Sequence, residues 1–275
     1  MTTSLEIHQI PDLLFTQAKR WFATGLLLRL SALAAGVSGL LPQVAGAAPY
    51  AVACFAALAE AVSWRSDVLK GKAERSLRLL ELQDGMGIRA AGEDVADLLV
   101  SVNGRPASER TSYFSSGSPE GARRLVENLR ESAWWTRNLA TSMARIITFV
   151  TSLVLAASIV FLIWSLTYVD EQPSRAAAAR VATALLMTVI SLGFVKLTYA
   201  YRILASRADA ASRGARTLIQ SGTTESAAIS AVHDYQLARA TGPLIPDALY
   251  GLKAGTLRKL WSTVAGDHVT GDRIR

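Results

Sequence analysis

Four long apolar stretches, arranged as two pairs, constrain the fold of this chain most strongly. They cover residues 21–41, 47–64, 146–169 and 181–201 of a 275-residue chain. About 20 apolar helical residues cross the hydrocarbon core of a bilayer, so each stretch is predicted to be a membrane-spanning helix. The third is the clearest, because no ionisable residue lies between Arg145 and Asp170. The pattern predicts an all-α integral membrane protein with two transmembrane hairpins.

The distribution of basic residues predicts the orientation, because Lys and Arg near span ends are retained in the cytoplasm. Residues 65–145 contain thirteen Lys and Arg and residues 202–275 contain ten, whereas the turn 42–46 has none. We therefore expect the N-terminal segment 1–20, the insert 65–145 and the tail 202–275 to be cytoplasmic. The net charge of +7 is accounted for in large part by this bias and by a role of basic residues in attracting anionic headgroups. No DNA or RNA polymer is therefore expected as a partner.

The insert is predicted to be a helical stalk. Apolar residues recur at helical spacing from Leu69 to Leu80, which extends the second span, and Gly85 and Gly87 then break the pattern. A shorter amphipathic helix is predicted around residues 95–102.

A second long helix of the insert is predicted to begin at Ser118 and to continue into the third span. Ser118 suits the N-cap, Pro119 the first helical position, and Glu120 the positive end of the helix dipole. Small and apolar residues then recur at alternating steps of four and three, which predicts a seam packed on the helix that descends from the second span. The seam consists of Ala122, Val126, Leu129, Ala133, Thr136, Ala140 and Met143. The insert is therefore predicted to be a hairpin continuous with the second and third spans.

The tail is predicted to contain three helices, at residues 202–219, 225–240 and 248–261. A turn bounded by Pro243 and Pro246 precedes the last of them. This last helix is amphipathic and basic, which leaves two placements open: on the membrane surface, or packed against the insert.

One face of the second insert helix is a candidate ligand site. Its residues, which we call the arginine stripe, fall within about 80° of one another at about 100° per residue. They are Arg123, Arg130, Trp134 and Arg137. Guanidinium groups and an indole ring are what recognition of an anionic nucleotide requires, through charge-assisted hydrogen bonds and stacking. The alternative is that Arg123 and Arg130 pair with Glu127 and Glu131 on a solvated face and that Trp134 and Trp135 pack in a subunit contact.

Two ionisable side chains within the first transmembrane hairpin form a second candidate site. Arg29 lies in the first predicted span, and Glu60 lies near the end of the second. An ion pair between them would reduce the cost of holding either charge in lipid and would line a pore in an oligomer. The alternative is that Arg29 reaches the interface alone and that Glu60 is hydrated there.

Residues suited to enzyme chemistry are sparse. His8, His233 and His268 are not at metal-ligand spacing, and Cys54 lies within a predicted span. The glycines at 85 and 87 follow a helical pattern rather than a strand, which does not match a phosphate-binding loop. We therefore expect no enzyme activity, no metal and no cofactor.

Three short segments, together with the two paired spans, carry a resemblance to a known family. They are Gln9-Ile10-Pro11 with Gln17-Ala18-Lys19-Arg20, then Trp134-Trp135 before the third span, and finally Pro243-Leu244-Ile245-Pro246-Asp247-Ala248-Leu249-Tyr250. The chain resembles the four-transmembrane effectors associated with bacterial cyclic-oligonucleotide antiphage signalling (SMODS-associating four-TM effectors). The resemblance implies an inner-membrane protein that binds a cyclic oligonucleotide made by a partner nucleotidyltransferase, forms a homo-oligomer and damages the membrane to arrest growth. It implies no catalytic residues.

The sequence leaves two other functional classes open. One is a small oligomeric channel or transporter without nucleotide input, although four spans and few polar membrane residues are sparse for transport. The other is a membrane scaffold whose tail docks another protein.

Overall fold

The structure, a computed structural model, describes residues 4–39, 46–100, 114–168 and 193–271. Within these ranges the chain forms seven α-helices and no strand, which confirms the predicted all-α class. The helices are α1 (Ser4–Ser38), α2 (Ala48–Met86), α3 (Gly92–Val100), α4 (Ala122–Tyr168), α5 (Phe194–Ser221), α6 (Glu225–Thr241) and α7 (Asp247–Gly271). The helices predicted in the tail are present as α5, α6 and α7.

Two of these helices are long and apolar enough to cross a membrane, judged by length and composition. The segments are Gln9–Ser38 in α1, with a mean hydropathy of 1.4, and Ala122–Val160 in α4, with a mean hydropathy of 2.0. The second predicted span, 47–64, lies in α2, which is not one of the two. Most of the fourth, residues 181–192, lies outside the described part of the chain.

Helices α1 and α2 pack along each other as an antiparallel hairpin. A Cβ atom added to Gly39 would lie 3.1 Å from that of Ala48, and one added to Gly25 would lie 3.2 Å from the hydroxyl oxygen of Ser63. Because glycine has no side chain, the two backbones approach closely at both levels. The first and second predicted spans therefore lie side by side.

Helices α4 and α5 form a second antiparallel pair. Arg202 Nη2 on α5 lies 3.4 Å from Thr148 Oγ1 on α4, and two turns further along α5 the Asp209 carboxylate pairs with Arg137 at 2.9 Å. The pair brings the described end of the fourth predicted span against the start of the third.

Two helix starts differ from the predictions, and glycine accounts for both. Helix α5 begins at Phe194, inside the fourth predicted span, because Gly193 immediately before it has a φ of +73°. Helix α4 begins at Ala122 instead of Ser118, because Gly121 has a φ of +147° and breaks the helical path. The Ser118 hydroxyl donates to the Glu127 carboxylate at 2.7 Å, so it does not cap the helix as predicted.

The apolar seam of α4 is largely buried, but its main partner differs from the prediction. Val126, Leu129 and Ala133 lie in one cluster with residues of α5 and α6. Ala140 and Met143 lie in another, with α5 on the facing side. The seam therefore packs chiefly on α5, and the predicted packing of α4 on α2 is present but is not the main contact. Helical periodicity marks a buried face but carries no information about which helix covers it.

The tail folds back over both hairpins. Helix α6 contacts α2 and α4, and the Tyr235 hydroxyl lies 2.8 Å from Thr136 Oγ1 of α4. Helix α7 packs against α4, where the rings of Trp261 and Trp134 lie 5.2 Å apart between centroids. Packing against the insert, one of the two placements left open for the last helix, is therefore present in the structure.

Candidate functional site

The outer members of the arginine stripe are both paired. Arg123 Nε lies 3.1 Å from Glu127 Oε1 one turn along α4. Arg137 Nη1 lies 2.9 Å from Asp209 Oδ1 on α5. Each arginine keeps part of its side chain exposed, so either ion pair is open to exchange with a competing anion. The predicted pairing with Glu127 is therefore present for Arg123, whereas the ion pair of Arg137 with α5 was not predicted.

The centre of the stripe is covered by α7. Trp134 is 9% exposed and stands edge-on to Trp135, with the ring centroids 5.8 Å apart. The Arg130 guanidinium lies over the indole of Trp261, with Cζ 5.6 Å from the ring centroid. Its Nη2 atom is buried and makes no hydrogen bond with any residue that the structure describes. Arg130 is thus the member of the stripe with an unused buried donor.

A second positive charge lies near Arg130. Arg216 of α5 is close enough to act on Arg130 electrostatically. Two neighbouring guanidinium groups create a positive potential, which the Glu127 carboxylate partly offsets, and a positive potential favours an anion. Phosphate oxygens suit such a position, since arginine binds them through two parallel hydrogen bonds.

A buried ionic cluster joins α2 to α6. It consists of Glu74 and Glu81 on α2 with Gln236 and Arg239 on α6. Arg239 lies 2.7 Å from one carboxylate and 2.8 Å from the other, and Gln236 donates to Glu81 at 2.6 Å. Burial opposes the charge of Arg239, but Glu81 and Glu74 outweigh it and hold the pKa of Arg239 well above its ordinary value. Arg239 therefore stays charged and links α6 to α2 through two carboxylates.

The chain after α6 is held by side chains from three other helices, at what we call the tail junction. Lys70 of α2 donates to the carbonyl of Ala240 at 2.7 Å and also to that of Gly242. Burial lowers the pKa of Lys70 below its ordinary value. Tyr201 of α5 donates its hydroxyl proton to the Leu244 carbonyl.

The third helix at the tail junction is α1. Lys19 Nζ lies 2.6 Å from Asp247 Oδ1, at the start of α7. Both residues belong to segments that carry the family resemblance. The junction therefore connects those segments to each other and to α2 and α5.

Sequence reasoning missed the ionic cluster and the tail junction. The available signal was on α2, where Lys70, Glu74 and Glu81 share a helical face with Leu77 at steps of four, three and four. Charged residues at such positions on an apolar face are buried only when they are paired. Their partners lie far along the chain, so the pattern on α2 alone does not identify them.

The tips of α2 and α4 meet at another polar contact. Asp84 accepts hydrogen bonds from Arg124 Nη2 and from Asn128 Nδ2, both at 2.7 Å. A Cβ atom added to Gly85 would lie 2.6 Å from a methyl carbon of Leu125. The tips of α2 and α4 are therefore held together by close packing of Gly85 on Leu125 as well as by the hydrogen bonds of Asp84.

The second candidate pair is formed in the structure. Arg29 Nη2 lies 3.1 Å from Glu60 Oε1 and 3.3 Å from Ser63 Oγ, between α1 and α2. The Glu60 side chain remains 74% exposed, whereas that of Arg29 is 17% exposed. The ion pair thus lies at the edge of the hairpin with its carboxylate facing outward.

A metal centre has no basis within the described ranges, where no group of three His, Cys, Asp or Glu side chains is placed to hold an ion. Comparison with known proteins found no matching family model, no similar curated protein and no similar solved structure.

Proposed function

We propose that this protein is an inner-membrane effector of bacterial antiphage defence. It binds a cyclic oligonucleotide through its cytoplasmic helices, oligomerises and disrupts the membrane, which arrests growth. The observation that carries the proposal is the continuity of α2 and α4. Each runs without a break from a predicted span into the insert, so a movement of the insert is transmitted to the spans.

Four membrane spans, with both termini in the cytoplasm, are part of this proposal. Large apolar side chains on the outer surfaces of α1, α2, α4 and α5 support it. They include Leu27, Leu30, Val37, Leu58, Phe149, Leu153, Ile163 and Val195. Apolar surface of this extent is unusual on a protein that is surrounded by water, and lipid would cover it.

The proposed ligand site is the arginine stripe, centred on Arg130. A phosphate group of the ligand accepts a hydrogen bond from the unused Nη2 atom of Arg130. Ligand phosphates also replace Glu127 as the partner of Arg123 and Asp209 as the partner of Arg137. Because Trp261 of α7 lies against the same guanidinium, a ligand there changes the packing of α7 on α4. If the ligand binds one packing arrangement of α7 on α4 more tightly than the other, binding raises the population of that arrangement. Because α4 continues into a predicted span, the change in packing reaches the bilayer.

Co-expression with a cyclic-nucleotide synthase tests this proposal in cells. With an active synthase we expect membrane depolarisation and growth arrest, and with a catalytically inactive synthase neither. Unchanged polarisation and growth across the plausible cyclic nucleotides would contradict the proposal.

The Arg130→Ala variant tests the site itself. We expect it to reduce ligand affinity at least about tenfold, because charge-assisted hydrogen bonds contribute roughly 1.5–3 kcal/mol. Arg89→Ala, which removes an equal charge from an exposed position of the insert, is the matched control and should behave as the unaltered chain. If both variants insert normally and remain equally toxic, the stripe has only a structural role.

One alternative is favoured by a specific observation. The Arg29–Glu60 ion pair in the first hairpin is compatible with a small oligomeric channel that needs no nucleotide. Such a channel would conduct in liposomes that contain only the purified protein.

A further inference from the structure

A groove between α4 and α5 has no role in the function proposed above. Its volume is about 400 Å³. Its lining contains two arginines, Arg145 and Arg202, two threonines, Phe149 and two alanines, and none of the described residues that line it is acidic. The volume lies within the range of small-molecule sites, roughly 300–1,000 Å³.

The two arginines have donors to spare. Arg145 is exposed and forms no hydrogen bond or ion pair with any residue of the described ranges. Arg202 makes one long contact, at 3.4 Å to Thr148 Oγ1. Each guanidinium carries five N–H donors and is charged at every relevant pH, so the groove presents a concentrated positive field.

The threonine hydroxyls are already committed. Thr141 Oγ1 donates to the Arg137 carbonyl at 2.7 Å, and Thr148 Oγ1 donates to the Ala144 carbonyl at 2.6 Å. Their oxygens therefore face the groove mainly as acceptors. Recognition of an anion in the groove falls to the arginines.

The position of the groove indicates what kind of anion it meets. Exposed apolar and aromatic side chains lie on one side of it, among them Ile146, Val195 and Tyr199. On the other side, the Arg137–Asp209 ion pair begins the polar part of the surface. The groove thus lies where an apolar surface changes to a charged one, with Phe149 on its apolar wall.

We propose that this groove binds the headgroup phosphate of an anionic phospholipid, with Arg145 and Arg202 as its hydrogen-bond donors. Basic pockets between membrane helices at the cytoplasmic side suit this chemistry, because the phosphate is bound by charge while the acyl chains stay in the apolar layer. In this site the glycerol and the first acyl carbons lie along Phe149. The inference rests on the membrane placement proposed above and assigns a lipid to one face of the α4–α5 hairpin.

Binding of short-chain lipids to the purified full-length chain in detergent tests the inference, with native mass spectrometry as the readout. We expect phosphatidylglycerol to bind the unaltered protein. The variant R145A/R202A should lose at least about tenfold in affinity, because it removes two charge-assisted donors. The matched control is R65A/R207A, which removes the same charge from exposed positions outside the groove.

Three results would overturn the inference: equal phosphatidylglycerol affinity for both double variants, equal binding of zwitterionic phosphatidylcholine, or displacement of the lipid by inorganic phosphate at the same concentration. The last result would identify the groove as a site for free phosphate instead of lipid.

Failure of the inference can be told apart from failure of the proposed function. Alkaline carbonate extraction of membranes shows whether the chain is integral to the bilayer, independently of the groove. A chain that is extracted as a soluble protein contradicts the membrane proposal. A chain that stays in the membrane while R145A/R202A binds phosphatidylglycerol normally contradicts only the lipid site.

Discussion

Buried charge is the feature that most distinguishes individual residues of this chain. Arg239 lies between two buried carboxylates, and Lys70 is buried against backbone carbonyls. Such groups are tolerated only when each is paired, because an ion removed from water without a partner is strongly destabilising. We expect the arrangement to specify the register of α6 on α2, since any shift between the helices would separate these pairs.

Arg239→Ala should destabilise the protein by about 3–5 kcal/mol, because it leaves Glu74 and Glu81 buried without a counter-charge. Thermal unfolding in detergent measures the effect. The control is Arg213→Ala on α5, where an exposed pair with Asp209 one turn earlier should contribute about 0.5 kcal/mol or less. Equal changes in unfolding temperature for the two variants would mean that Arg239 does not pair with the two buried carboxylates as described.

The arginine stripe shows what residue patterns predict about a site. The stripe places Arg123, Arg130, Trp134 and Arg137 on one side of α4, and helical geometry alone predicts that. The partners were not predictable, because Asp209 and Trp261 lie on helices whose packing depends on contacts distant in sequence. The unused donor of Arg130 is likewise a result of tertiary burial, which no local pattern shows.

At the scale of helices, the all-α class and the approximate length of each helix were predictable. The partner on which each helix packs was not. Apolar periodicity and glycine positions are local, so they predicted the end of α2 beside Gly87 and the three tail helices. The start of α4 was misjudged because a suitable N-cap at Ser118 competes with the backbone of Gly121. The seam on α4 was predictable as a buried face, but its main partner was not, because α5 contacts α4 more extensively than α2 does.

Gly85 provides a test of how the insert hairpin is closed. Gly85→Ala should destabilise the protein by about 1–3 kcal/mol, because the added methyl group meets the backbone and side chain of Leu125 at 3.0 Å or less. Gly71→Ala, in the same helix, meets nothing within 4 Å and should be neutral or stabilising by up to about 1 kcal/mol. Thermal unfolding of the two variants measures the difference in stability. An equal change in unfolding temperature would show that α2 and α4 do not approach as closely as described.

At the scale of the whole molecule, the tail links the two helical hairpins. The tail junction ties α1, α2 and α5 to the segment after α6, and α7 then covers the arginine stripe on α4. A ligand that moves α7 therefore acts on an element connected to both hairpins. This connection is the physical basis for the proposed coupling between nucleotide binding and the membrane.

Dye release from liposomes that contain the purified protein tests the central claim most directly. Each member of a cyclic-oligonucleotide panel is added from the side that exposes the insert. We expect at least one member to trigger release from liposomes with the unaltered chain and not from those with Arg130→Ala. Absence of release with every member, or equal release without any nucleotide, would contradict it.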